Sequence, residues 1–162
     1  MSQVIRFCGR PEAEAICRKY SVPSVVSISD PETDHPRVRG SHGTLVMRFY
    51  DVSRPHPDYT PSCTHEDIQR LVEFLYSAPG PVLVHCEMGI SRSAAATMIG
   101  YYLLSGDEPL AAAYMMDARE RPIIHKIRPN TMMLAQADDL LGEGIRLSGT
   151  SPGPQEAVTG PI

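Results

Sequence analysis

Four short apolar runs, at 4–8, 22–28, 44–49 and 81–85, stand apart from stretches whose apolar residues recur at helical spacing. The run "PVLVH" at 81–85 is continuous, the mark of a strand covered on both faces, and with "TLVMRF" at 44–49 it predicts the centre of a sheet. Between the first two runs, Ala13, Ile16 and Cys17 share one face of a helix over 11–20. Ile68, Leu71, Val72 and Leu75 repeat at i, i+3, i+4 and i+7 behind a capping-box opening, Thr64-x-x-Asp67. Three more helices are predicted: 92–105, 108–120 after Asp107 and Pro109, and 131–141 between Asn130 and Gly142. Strand, helix, strand followed by a helical second half predicts an α/β domain, a central mixed sheet of about four or five strands flanked by helices.

With 162 residues there is chain enough for one hydrophobic core, so a single domain is expected over 1–147. From Ser148 onward "SGTSPGPQEAVTGPI" is rich in Gly, Pro and small polar residues, which predicts a flexible tail over 148–162. The net charge of −4 supplies no global basic field, so nucleic acid is not an expected partner. No apolar run is long enough to span a bilayer, and a cytoplasmic protein without membrane association is expected. Cys8, Cys17, Cys63 and Cys86 are scattered, with none of the close pairs of a zinc site or a disulfide framework. His35, His42, His56, His65 and His125 are equally dispersed, and no metal or other cofactor is expected.

"VLVHCEMGISRS", residues 82–93, changes this picture. A lone buried cysteine is more often core filler than catalyst. Here, however, the apolar strand ends at His85, a loop of five residues follows Cys86, and a helix opens near Arg92. Loop N–H groups at a helix N-terminus form a nest for an anion, and an arginine there can grip two phosphate oxygens. Gly89 permits a backbone conformation that a side chain would oppose. The same field favours the thiolate of Cys86, the form of cysteine that attacks an electrophilic centre.

The pattern His85-Cys86-x5-Arg92-Ser93 matches the signature of the cysteine-based protein tyrosine phosphatases, and "VHCEMGISRSAAATMIGYYLL" resembles their compact dual-specificity branch. "IRPNTMMLAQADDLL", with Pro129-Asn130 before the last predicted helix, is similar to a segment of that branch, so the resemblance covers about 25–141. It implies a dual-specificity-phosphatase-like fold and a two-step, metal-independent hydrolysis of phosphomonoesters. Cys86 would form a phosphocysteine, while Arg92 with the loop residues Glu87, Met88, Gly89, Ile90 and Ser91 would bind the phosphoryl group. Ser93 would assist departure of the sulfur, His85 would support the loop and the thiolate, and Asn130 would be a further supporting residue. The implied substrate is a phosphorylated protein or a small phosphate ester; phosphoinositides and RNA 5′-phosphates are served by related loops, and Glu87 disfavours the most highly charged of these. A pseudophosphatase that binds phosphorylated partners, and a sulfur- or arsenate-handling enzyme, are the other classes with such a loop.

By the same resemblance the general acid is an aspartate upstream of the cysteine. Asp51 directly follows "TLVMRFY" at 44–50, where a carboxyl at a strand's C-terminal end faces the crevice of its neighbours; Asp58, inside the proline-rich stretch "RPHPDYTP", is the alternative. Cys63 lies on the same loop, where a redox pairing with Cys86 competes with the simpler reading of a loop cysteine without a partner.

Overall fold

The computed structural model describes residues 4–34, 37–107, 116–117, 127–142 and 147–149. Strand β1 (Ile5–Gly9) leads through a 3-10 turn (Arg10–Glu12) into helix α1 (Ala13–Lys19), and then come β2 (Ser24–Ser29) and β3 (Gly43–Arg48). Helix α2 (His65–Ser77), strand β4 (Val82–Cys86), helix α3 (Arg92–Ser105), strand β5 (Met116–Asp117) and helix α4 (Thr131–Leu141) follow. The predicted capping box opens α2: Thr64 Oγ1 accepts from Asp67 N–H at 3.3 Å, and Asp67 Oδ2 accepts from Thr64 N–H at 2.9 Å.

The strands form one sheet in the order β3-β2-β4-β1-β5. Every described pairing is parallel, where a mixed sheet was expected. The difference lies in segment 30–42, whose described residues form no helix and so suggest a hairpin, yet which is long enough to bring the chain back to the start of a parallel strand. A second correction falls at Met116–Asp117, which pairs with Arg6 and Phe7 as an edge strand, inside the stretch 108–120 predicted to be helical; the remainder of that stretch is outside the described residues. At the C-terminal end, Leu147–Gly149 forms a 3-10 turn in which Ser148 Oγ donates to Asp138 Oδ2 at 2.6 Å, and the rest of the expected tail is also outside the described residues.

Alternation along the strands divides the interior in two. Ile5, Phe7, Val26, Ile28, Met47, Val82 and Val84 face α2, α3 and α4 in the main core. Cys8, Val25 and Leu83 face α1 in a smaller one. The main core closes tightly because α3 presents Ala94, Ala95, Ala96 and Gly100: a Cβ on Gly100 would sit 2.4 Å from Ile5 Cδ1. Each large side chain buried there contributes about 1.5–3 kcal/mol of transfer free energy, and the small residues let the start of α3 lie close over the sheet. Among the described residues no helix is long and apolar enough to cross a membrane.

Candidate active site

In a parallel sheet every C-terminal strand end lies on the same edge, so residues far apart in sequence meet there. Asp30 follows β2, Phe49 and Asp51 follow β3, Cys86 ends β4, and the turn at Arg10 follows β1. Together with the loop into α3 they surround a cleft of about 440 Å³ lined by Asp30, Asp51, Cys86, Glu87, Ser91 and Arg92, with Tyr50, Val52, Tyr59, Met88 and Ile90 as its apolar and aromatic part.

The loop 87–91 is held from outside by its carbonyls. Arg10 N–H donates to Glu87 O at 3.1 Å, Arg128 N–H to Ile90 O at 2.9 Å and Asn130 N–H to Ser91 O at 3.0 Å. Carbonyls turned outward leave the alternating N–H groups to turn inward, the geometry of an anion nest. Gly89 N–H points to Cys86 Sγ at 3.3 Å, and Ser93 Oγ lies 3.2 Å from the same sulfur, which is 4% exposed as a residue. Both contacts are ones a thiolate can accept. His85 is buried beside Cys86 in β4, but strand alternation sends its side chain to the α1 face of the sheet, away from the sulfur.

Gly89 has φ +70° and sits against the end of β1, where a Cβ would come within 2.4 Å of Cys8 C and Gly9 N. Both atoms are backbone and cannot move aside. Gly89→Ala is therefore expected to destabilise the fold by roughly 2–5 kcal/mol through strain and overpacking, read as a lower midpoint in urea unfolding.

Arg92, the first residue of α3, is 3% exposed. Its Nη1 donates to Asp30 Oδ1 at 2.9 Å and to Phe49 O at 2.8 Å. Asp30 is the site residue that sequence reasoning missed; nothing in "SISDPE" marks it, because its importance comes from where β2 ends. The ion pair offsets the cost of burying a guanidinium and fixes its plane. Nε is buried without a hydrogen-bond partner among the described residues. A buried N–H left unpaired costs about 1–3 kcal/mol, an expense that an oxyanion in the cleft would remove.

Of the two acid candidates, only Asp51 lines the cleft. Its Oδ1 accepts from Ser91 Oγ and from Asn130 Nδ2, both at 2.6 Å. Asn130 is thus more than a helix cap. Besides accepting Met133 N–H at 2.9 Å it ties Asp51 and, through Val52 O at 3.1 Å, the backbone of the proline-rich loop to the end of α3's loop. Asp58 is elsewhere: its side chain is 82% exposed and pairs with His56 at 3.9 Å. Cys63 is buried in the main core, where burial and then the charge of Asp67 push its thiol up to about 12. Tyr50 and Tyr59, also missed in the sequence, stack edge to face at 5.5 Å, and Tyr50 donates to Glu32 at 2.6 Å, which raises the phenol's pKa and lowers that of the carboxyl.

Neither a family model nor a curated protein matches the sequence. Solved structures do match in fold. Human DUSP28, in a single-substitution variant, aligns with a TM-score of 0.58 at 20% identity over 84% of this chain and 88% of its own. The human tyrosine phosphatase-like serine/threonine/tyrosine-interacting protein aligns at 0.56 and 22% identity over 82% and 83%. The fold is that of the dual-specificity phosphatases. The Yvh1 phosphatase domain from Chaetomium thermophilum belongs to the same set, with a TM-score of 0.56 and 20% identity over 88% of this chain and 93% of that one. On that phosphatase fold, the chemistry of this chain has to be argued from its own side chains.

Proposed function

We propose that the protein is a cysteine-dependent phosphomonoester hydrolase of the protein tyrosine or dual-specificity type. The observation that carries the reading is the meeting of Cys86 Sγ with a buried Arg92 whose Nε has no partner among the described residues, across one loop whose Gly89 N–H points at the sulfur. The sulfur attacks phosphorus in line, the P–O bond to the leaving group breaks, and the developing charge is met by Arg92 and the loop N–H groups. Arg92 and the amides supply the charge stabilisation that a metal supplies in other phosphatases. Asp51 gives its proton to the departing oxygen through Oδ2, the carboxylate oxygen that neither Ser91 nor Asn130 holds. Water then cleaves the S–P bond, and Ser93 Oγ, 3.2 Å from Sγ, stabilises the thiolate as it leaves. Tyr50, Tyr59, Val52 and Met88 favour an aryl group in the mouth of the cleft, so phosphotyrosine is the substrate class best fitted.

Vanadate-sensitive and chelator-insensitive hydrolysis of p-nitrophenyl phosphate tests the reading, and tight phosphopeptide binding without turnover would replace it with a binding module. The acid has its own signature. Asp51→Asn is expected to slow phenyl phosphate by about 10²-fold or more and p-nitrophenyl phosphate much less, because a good leaving group needs no proton. Asp58→Asn is expected to leave both rates unchanged; the opposite pattern would move the acid to Asp58.

A further inference from the structure

On the side of β2 and β3 turned away from the main core lies a pocket that the proposed hydrolysis does not use. Parallel strands covered on both sides are normally apolar throughout. On the α1 face, however, β2 and β3 place Ser27 beside Val46 and Ser29 beside Arg48, with Thr44 one step before them. Helix α1 packs on Cys8, Val25 and Leu83 and contributes no residue to this part of the face; the pocket, of about 250 Å³, is completed by Arg37 and Val38 from segment 30–42.

Its polar groups converge. Ser29 is 2% exposed and Ser27 8%, and neither hydroxyl has a hydrogen-bond partner among the described residues. Two guanidiniums stand over them, each oriented by a neutral backbone oxygen: Arg37 Nη2 donates to His42 O at 2.7 Å, and Arg48 Nη1 donates to Thr33 O. Arg48 Nη2 lies 3.5 Å from the carboxylate of Asp34, whose side chain is 97% exposed, so that charge is screened by water. In a chain of net charge −4, two oriented cations over unpaired hydroxyl donors form a local site of opposite sign.

We propose that this pocket is a second anion site, which takes a phosphate-type dianion between Arg37 and Arg48 with the hydroxyls of Ser27 and Ser29 as its floor. It is distinct from the cleft around Cys86, because the two share no lining residue. A tetrahedral oxyanion uses the fork geometry of both guanidiniums and accepts from the hydroxyls as well, which a carboxylate's two oxygens do less completely.

The test reads binding alone, so it stands apart from whether the catalytic cleft turns over substrate. Full-length Cys86→Ser protein, labelled with 15N, is titrated with inorganic phosphate, for the free ion, and with glycerol 3-phosphate, for a phosphoryl group on a carrier. Saturable amide shifts are expected at 27–29 and 44–48, separate from those at 87–92, beyond any produced by chloride at equal ionic strength. Whichever of the two ligands saturates more tightly identifies the source of the anion, and either supports the site. Arg37→Gln, and Arg37→Gln with Arg48→Gln, are expected to weaken binding at 27–29 and 44–48 by about tenfold or more, while the response of 87–92 persists and reports an intact fold. The absence of saturable shifts at 27–29 and 44–48 with both ligands, or shifts that survive the double substitution, would overturn the proposal.

Discussion

Cys86→Ser is expected to lower turnover of p-nitrophenyl phosphate by at least about 10⁴-fold, as removal of a nucleophile does elsewhere. The substitution is close to isosteric and leaves in place the outward ties of the Glu87, Ile90 and Ser91 carbonyls and the grip of Asp30 and Phe49 on Arg92. Phosphate binding should therefore be retained within about threefold, because the attraction comes from the guanidinium and the amides rather than from the sulfur. Loss of kcat with binding preserved is the signature of a missing nucleophile. Rapid quench of the native protein with a labelled substrate supplies the complementary measurement: phosphate should remain on Cys86 in a thiophosphate linkage stable to denaturation, and the serine variant should carry none. Turnover by the serine variant within a factor of about 10² of the native rate would remove Cys86 from the nucleophile's role.

The catalytic loop is the part of this molecule most legible in the sequence, because its requirements are local. A strand end, a glycine at positive φ and a helix start all lie within residues 82–93, and each has a residue-level signature that the structure reproduces in β4, Gly89 and α3. The capping box at Thr64 and the Asn130 cap were legible for the same reason. What escaped is set by long-range placement. Asp30 contacts Arg92 across 62 positions of sequence, and Asn130 reaches Asp51 across 79. Asp30 becomes a site residue only because β2 runs parallel to β4, which brings the end of β2 beside the loop after Cys86, and no local pattern around Asp30 shows that pairing. Met116–Asp117 is a similar case: helical periodicity around it was overridden by the free edge of β1, whose Arg6 and Phe7 it pairs with.

Arg92→Lys is the second large effect, expected at about 10²–10³-fold in kcat/KM for an aryl phosphate. Nη1 of Arg92 is already committed twice, to Asp30 Oδ1 and to Phe49 O, and these bonds hold the fork so that its Nε edge is kept for a ligand. An ammonium has one nitrogen to divide among Asp30, the carbonyl and the phosphoryl oxygens. Asp30, a full negative charge only 35% exposed on its side chain, would hold it against the strand end. The charge would remain in the cleft, but the two-point hold on the equatorial oxygens would go, and that hold matters most when the phosphoryl group flattens in the transition state. If Nε holds substrate as well as transition state, as proposed, KM should rise and kcat should fall together. A lysine variant within about tenfold of the native kcat/KM would assign Arg92 to pairing with Asp30 alone and leave the anion to the loop amides.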